Sequence, residues 1–496
     1  MLISGLALGA VLGFVMQRGR FCVTGFLRDI FTQRSWRGFV ALLIVISVHA
    51  VGLAALTSAG VITPEYNELA PVAVIVGGVI FGLGIVLAGG CASGTWYRSG
   101  EGLIGSWIAL VFYALSAAAM KTGFLNGLQN SLKDRTVGLT SIHASLGISI
   151  WPLVIALSAV TAYFAVRFLR EEFSGPRPVT LAPRKSGLAH ILAEKPWHVY
   201  ATAAIVGVLG VIAWPLSAAT GRNDGLGITT PSSNLANYVV TGDTERFDWG
   251  VLLVLGILVG SFIAAKASGE FRLRVPDATQ GARSVVGGIF MGVGAAWAGG
   301  CTVGNGMVQT SLFSYQGWLA LASIAAGVAI AAKLWLKPSA PSLSDVPSTP
   351  STTNDPAVSA TAPVASAATS PVSLPGSEGA GAGAAGTEAS PLAGSFAVAP
   401  VALLDRSVVK QEDGKLKPLG GGRYELDTVG AVCPFPLIEA KDAINKIEVG
   451  EELVIPFDCT QATDAIPRWA AKDGHEVTNF EQTGEAGWTI SVRRGR

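Results

Sequence analysis

The sequence predicts an all-α polytopic membrane domain, built from inverted repeats with broken or re-entrant helices, followed by a small α/β two-layer sandwich. Three observations carry this prediction. Only 14% of the 496 residues are charged and 50% are hydrophobic, where about 25% charged is usual for a soluble protein. A glycine-rich segment ending in cysteine occurs twice in the apolar part. After residue 337 the composition changes abruptly, first to Pro, Ala, Ser and Gly and then to an ordinary mixed sequence.

Apolar runs long enough to cross about 30 Å of hydrocarbon lie near residues 2–17, 36–58, 69–88, 102–120, 151–170, 197–219, 247–266, 284–300 and 317–336. The first and eighth are short and read as candidates for broken segments. Met1-Leu2-Ile3 lacks the basic stretch of a signal peptide, so the first run reads as a retained helix. One set of alternate loops carries eighteen Lys and Arg residues, from Arg18 and Arg20 through Arg184 and Lys195 to Lys333 and Lys337. The other set has five: Lys121, Lys133, Arg135, Arg222 and Arg246. Basic loops stay cytoplasmic, which places the N-terminus outside, the C-terminus inside, and an odd number of crossings between them.

Gly77–Cys91 aligns without a gap on Gly287–Cys301, 210 residues later, and eight of the fifteen positions are identical, all glycine, alanine or cysteine. With four segments between the copies, the two run in opposite directions, the inverted repeat typical of transporters with sites near the membrane midplane. Each copy ends in Ala-Gly-Gly-Cys, read as the break of a helix: Gly89, Gly90 and Cys91 in one, Gly299, Gly300 and Cys301 in the other. A helix resuming after the break directs its free N–H groups at the site, which suits an anion.

Three Cys-x-x-Gly tetrads follow glycine-bearing turns: Cys22 to Gly25, Cys91 to Gly94 and Cys301 to Gly304. Ser268-Gly269-Glu270-Phe271-Arg272 resembles Arg18-Gly19-Arg20-Phe21-Cys22 and reads as a fourth copy with Arg272 replacing cysteine. A lone cysteine in a membrane helix is more often a small apolar filler. Three in matching turns at the breaks form a candidate path, since thiols are weak S–H donors to an anion. Arg20 and Arg272 stand between path residues and orientation signals. Arg98, Lys121, Asp29 and Glu101 read as interfacial charges, with Arg98 a possible attractor of an anion, and His49 and His143 as satisfied polar residues. Neither paired metal-ligand spacing nor a disulfide framework is present among five scattered cysteines. No metal or cofactor is therefore expected. With no basic patch bearing interleaved aromatics, nucleic acid is not expected as a partner either.

Residues 338–404, rich in Ser, Pro, Ala and Gly, cannot bury enough surface to fold and read as a linker reaching on the order of 45 Å. The domains are thus 1–337 (membrane), 338–404 (linker) and 405–496 (cytoplasmic). In the last, Arg423–Thr428, Glu452–Asp458, Val477–Gln482 and Trp488–Arg493 alternate as strands, while Pro434–Lys446 and Thr460–Asp473 read as helices with Thr460 a candidate N-cap. Cys433-Pro434-Phe435-Pro436 opens the first helix, so the Cys433 thiol lies near the positive end of a helix, where the nucleophilic thiolate is favoured.

The membrane part, by its Gly-Arg-Phe-Cys start and two Ala-Gly-Gly-Cys turns, resembles the YeeE/YedE family of sulfur-compound transporters over residues 1–337. That resemblance implies thiosulfate passing inward along Cys22, Cys91 and Cys301, in the bacterial inner membrane. The C-terminal domain resembles the TusA/SirA/YeeD family of sulfur carriers through Leu426-Asp427-Thr428-x-Gly430-x-x-Cys433-Pro434-x-Pro436 and Asp464-x-Ile466-Pro467. It implies that Cys433 carries persulfide sulfur or attacks thiosulfate, with cytoplasmic sulfur-relay proteins as partners. Cys459 lies outside the motif and reads as a strand-end cysteine, with a resolving thiol the alternative. Expected, then, is a thiosulfate importer fused to its acceptor. A selenium-compound transporter and a membrane-anchored sulfurtransferase remain the alternatives.

Overall fold

A computed structural model describes residues 2–336 and 416–495, so the expected linker and the first residues of the expected C-terminal domain lie outside the described residues. The membrane part is helical. Its helices are α1 (Ile3–Arg18), α2 (Val23–Thr32), α3 (Arg37–Ser58), α4 (Pro71–Leu87), α5 (Ala92–Gly100), α6 (Ile104–Lys121), α7 (Asn126–Lys133) and α8 (Ile142–Ser145). They continue as α9 (Trp151–Ser174), α10 (Gly187–Ala193), α11 (Val199–Ala218), α12 (Thr229–Thr241), α13 (Trp249–Ser268), α14 (Ala278–Ala298) and α15 (Tyr315–Trp335). Among the described residues, eight helices are long and apolar enough to span a bilayer, where the sequence reading counted nine. The difference is α14, whose polar start, with Gln280 and Arg283, leaves it less apolar than the others.

The inverted repeat appears as packing. α4 and α14 lie antiparallel with glycine against glycine: a Cβ on Gly84 would sit 2.8 Å from the Gly287 carbonyl oxygen, and one on Gly294 would sit 2.7 Å from that of Gly77. Since Gly77 and Gly84 align with Gly287 and Gly294, the contact is its own mirror under the repeat. The same operation relates the α1–α13 contact to α11–α3, and the α6–α14 contact to α15–α4. The repeats are therefore α1 to α6 and α11 to α15, with α9 between them.

This arrangement corrects one expectation. Ser268–Arg272 ends α13, whose counterpart is α3, and α1 packs parallel to α13, with Gly5 beside Trp249 and Gly13 beside Ile257. The counterpart of α1 is α11, so the fourth break lies before α12, at residues 219–228. It escaped the sequence reading because it has neither cysteine nor the Ala-Gly-Gly turn.

The C-terminal domain carries β1 (Leu416–Gly420), β2 (Arg423–Leu426), α16 (Phe435–Ile444), β3 (Glu452–Phe457), α17 (Ala462–Asp473), β4 (Glu476–Gly484) and β5 (Gly487–Arg493). The sheet order is β1-β2-β3-β5-β4, with β2 and β3 parallel and the other pairs antiparallel. Alternate residues of β3, Leu453, Ile455 and Phe457, are buried with Leu437, Ile444, Ile466 and Trp469 of the two helices. β1 was not expected. Thr460 is not the cap of α17, which starts at Ala462; its carbonyl instead accepts a bond from the Thr463 hydroxyl at 2.8 Å.

Candidate functional site

Cys22 and Cys91 cap the resumed helices α2 and α5, and Cys301 opens the turn before a short π-helix, Gly304–Gln309, whose cap is Val303. The carbonyls of Cys22, Cys91 and Cys301 accept the N–H of the residue four positions on, Phe26 at 3.0 Å, Thr95 at 2.8 Å and Asn305 at 2.9 Å. In the fourth break Ile228 holds this position and accepts the N–H of Ser232 at 2.9 Å. The turns before Cys91 and Cys301 match as well, because Gly89 and Gly299 have φ of +72° and +79°, a left-handed conformation that favours glycine. Asn305 closes the second break by donating to the carbonyls of Ala298 and Gly300.

The cysteines are buried and free. Cys22 and Cys91 are neighbours across Gly94: a Cβ there would be 3.3 Å from the Cys91 Sγ and 3.8 Å from the Cys22 Sγ. At Gly25 only Arg28 and Cys22 atoms come within 4 Å of such a Cβ, each at 3.8 Å, and at Gly304 nothing does. The absence of side chains thus keeps space beside the caps. A Gly90 Cβ would lie 3.5 Å from the Arg98 guanidinium, and one on Gly300 3.3 Å from Asn305. Hydroxyl groups accompany the thiols. Ser93 Oγ is 3.5 Å from the Cys91 Sγ, and the buried hydroxyls of Thr24 and Thr302 have no hydrogen-bond partner among the described residues.

Arg98 is buried rather than interfacial, at 5% exposure. Its guanidinium donates to the Gly89 carbonyl and to the Cys22 Sγ at 3.7 Å, and among the described residues no carboxylate forms an ion pair with it. Glu101 is buried too, and accepts from Gln17 at 3.3 Å. Lys121 donates to Thr230 at 2.5 Å, and Asp29 pairs with Arg28 at 3.0 Å. His49 meets Ser311 through Nδ1 at 3.4 Å while its Nε2 has no partner, so it is only half satisfied, and His143 Nδ1 also has none.

Arg20 lines the same cleft as Cys22, Cys433 and Cys459. It pairs with Glu270 at 3.1 Å and donates to the Thr463 hydroxyl of the C-terminal domain. Arg272 is exposed, with its N–H bonded to the Glu101 carbonyl at 3.2 Å. Other contacts to the C-terminal domain are Arg468 with Glu172 at 2.7 Å and Ala486 N–H with the Gly269 carbonyl at 3.0 Å.

Cys433 precedes α16, whose first turn holds Phe435 and Pro436, with Pro434 as the flanking cap rather than the first helical residue. The domain sets this turn against the breaks at Cys91 and Cys22: a Gly89 Cβ would be 2.9 Å from the Val432 side chain, and Arg28 donates to the Cys433 carbonyl at 3.3 Å. A cleft of about 1310 Å³ is lined by Cys22, Gly25, Arg28, Cys433 and Cys459 among others. Cys433 and Cys459 are joined as a disulfide with their Cα atoms 6.2 Å apart. The sequence could not pair them, since a separation of 26 residues carries no spacing signal.

Paired inverted repeats with capped breaks, and a small carrier domain seated beside one of them, define a polytopic membrane transporter with an attached sulfur-handling unit. Residues 18–330 match the sulphur transport family and residues 424–494 match the sulfurtransferase TusA family. The chain belongs to the sulphur transport family and carries a TusA-type domain at its C-terminal end. It is 51% identical over 328 residues to the thiosulfate transporter TsuA of Escherichia coli, covering 66% of this chain and 93% of that protein. To the thiosulfate transporter TsuA of Spirochaeta thermophila it is 32% identical over 338 residues, covering 64% and 94%. Its C-terminal domain is 59% identical over 70 residues to the putative sulfur carrier protein TsuB of E. coli, covering 14% of this chain and 93% of that protein.

Proposed function

We propose that this chain imports thiosulfate across the inner membrane, past Cys22, Cys91 and Cys301, and delivers it to Cys433 on the cytoplasmic side, with the N-terminus outside. The observation that carries this reading is the cleft lined by both Cys22 and Cys433, which joins a thiol at a helix break to the thiol of the carrier. Two relatives named as thiosulfate transporters support the choice of anion. Each S–H offers a weak hydrogen bond to a sulfur or oxygen of the ion, and the N-termini of α2 and α5 add partial positive charge. Arg98 supplies a full one. A buried cation with no carboxylate in ion-pair contact is costly, and a dianion passing the Cys22–Cys91 pair offsets that cost.

At the cytoplasmic end the Cys433 thiolate attacks the sulfane sulfur, the S–S bond breaks and sulfite leaves, with the sulfur retained as persulfide. Removing the ion in this way keeps import downhill. A mere anchor for a sulfurtransferase would need one helix, not two repeats with four capped breaks. The test is growth of a cysteine-requiring strain on thiosulfate as sole sulfur source. The intact chain restores growth, and Cys91→Ser and Cys433→Ser at matched expression do not. Growth with Cys91→Ser removes the cysteine path, and no growth with the intact chain removes thiosulfate as cargo.

A further inference from the structure

The segment between the two repeats carries an apolar face that the proposed transport does not use. Residues 176–198 hold four cations, Arg177, Arg184, Lys185 and Lys195, against a single acid, Glu194. Within them, α10 places Leu188, Ile191 and Leu192 on one side, since residues three and four apart share a helix face. Their exposures are 75%, 50% and 46% although the C-terminal domain is docked. None of the three lines the cleft beside that domain, whereas His190 and Glu194 do, so the apolar face points away from the carrier. A helix of about two turns is marginal on its own, and this one is tied down. Glu194 accepts the N–H of Arg184 at 2.6 Å and that of Lys185 at 2.8 Å. Lys185 donates to the Ala267 carbonyl at 2.7 Å, and the Trp197 N–H to the Arg18 carbonyl at 3.0 Å, which fixes α10 at the ends of α13 and α1. Val259 and Ile263, a turn apart on the face of α13 that leads to Ala267, are exposed on a helix long and apolar enough to span a bilayer. The apolar face of α10 thus continues a lipid-facing surface at its rim, where the cations Lys185 and Lys266 are exposed as well.

We propose that α10 docks on the bilayer itself, seating Leu188, Ile191 and Leu192 in the headgroup boundary while Lys185 and Lys266 meet the phosphates of anionic phospholipids. Interfacial helices draw on both contributions, burial of an apolar face to a depth of about 5–10 Å and attraction of Lys and Arg to anionic headgroups. The one acid of the segment does not oppose this, because its carboxylate is occupied by two backbone N–H groups and by His190 at 2.9 Å. On its other side the same segment grips the C-terminal domain. Leu181 packs against that domain's core, and Arg184 donates to the Gln482 carbonyl at 3.2 Å. The segment is therefore a strap, held by lipid on one face and holding the carrier with the other.

The experiment places a nitroxide at Leu188→Cys in the full chain, reconstituted into phosphatidylcholine bilayers with or without phosphatidylglycerol. The chain without the substitution, treated alike, supplies the background from its own cysteines. The Leu188 label should collide with oxygen in preference to a water-soluble nickel chelate, and phosphatidylglycerol should raise that preference by roughly threefold or more. Lys266→Gln should diminish the rise. A label at Ala182→Cys, exposed in the same segment but outside α10, should favour the nickel chelate in both bilayers. A Leu188 label that favours the chelate in both bilayers overturns the proposal. Protection from both reagents, the mark of a protein partner or a second copy on this face, overturns it as well. Equal insertion with and without phosphatidylglycerol overturns the part assigned to the lysines. Ile191→Cys gives a second reporter on the same face, and the melting temperature of each labelled chain shows that it reports on a folded protein.

Discussion

Gly94→Ala separates the proposed path from the fold that carries it. Gly94 is in the first turn of α5 and has an ordinary helical backbone, so alanine there favours the helix by up to about 1 kcal/mol. Against that, the new methyl carbon lies 3.3 Å from the Cys91 Sγ and 3.8 Å from the Cys22 Sγ. The first distance is tight, and a shift of the Cys91 side chain by a few tenths of an ångström relieves it, at a cost within the roughly 1–3 kcal/mol of overpacking. The net change in stability is small. The change in the path is not, because an anion touching both thiols must sit about 3.5–4 Å from each, in the region the methyl now fills. Uptake should fall at least tenfold, about 1.4 kcal/mol, with melting temperature nearly unchanged. Initial rates of thiosulfate uptake into proteoliposomes, alongside thermal unfolding in detergent, measure both. Gly127→Ala is the control, since it lies in α7, outside the cysteine breaks, and its methyl meets nothing within 4 Å. Uptake by folded Gly94→Ala at the rate of the intact chain would refute the passage of anion between the two thiols.

Arg98→Gln removes the buried charge beside Cys22 and should lower uptake efficiency by roughly 30-fold, about 2 kcal/mol, whereas Arg98→Lys should recover much of it; concentration-dependent uptake rates report both. At the α4–α14 seam, Gly84→Ala and Gly294→Ala put a methyl within 2.5–2.8 Å of backbone atoms of the facing helix. Each should destabilise by about 1–3 kcal/mol, and by similar amounts, because the repeat makes them equivalent; unequal melting shifts would argue against it. Burial pushes the Asp464 carboxyl up, but Arg468, Arg37 and Arg20 more than offset this and hold it below the usual carboxylate range. A carboxyl with a depressed pKa in the docked state stabilises docking above its free value near ~4 and loses that contribution as pH falls through its docked value. With a protease site placed in the linker and cut, Asp464→Asn should therefore release the C-terminal domain more readily at pH 7, and the excess over the intact chain should shrink as pH is lowered below ~4.

The parts of this protein legible in its sequence were those with a periodic or compositional signature. Among the described residues each of the nine apolar runs falls on a helix, eight of them long and apolar enough to span a bilayer, and two near-identical glycine segments became the seam at which the repeats meet, because close helix approach demands glycine at Gly77, Gly84, Gly287 and Gly294 whatever surrounds them. The fourth break left no such trace. Ile228 and Thr229 occupy the cap that cysteine holds elsewhere, and the resemblance of residues 268–272 to 18–22 reflected two helices of the same direction that end alike, not two copies of one unit. Pairings across long separations were equally silent: nothing in the sequence places Arg20 against Thr463, Val432 against Gly89, or Cys459 against Cys433, since each depends on how finished elements dock.

The asymmetry of the four breaks bears on direction. A path with full two-fold symmetry would present the same groups from either side, and an anion would cross equally well both ways. Here three breaks carry thiols and the fourth carries Ile228, while Arg98 stands at the break that Val432 and Cys433 approach from outside the membrane part. The most attractive position for a dianion, with a full positive charge and two thiols, is therefore the one nearest the acceptor. A site that binds well also releases slowly, and such a step would limit import if the ion left by diffusion alone. On the proposed chemistry, Cys433 at its edge would couple departure to breakage of the S–S bond, so that the ion need not leave the site intact. On this reasoning a Cys433→Ser chain should still bind thiosulfate at the Cys22–Cys91 pair but deliver it to the cytoplasmic side more slowly than the intact chain, and equal delivery rates in the two would show that release does not depend on the chemistry.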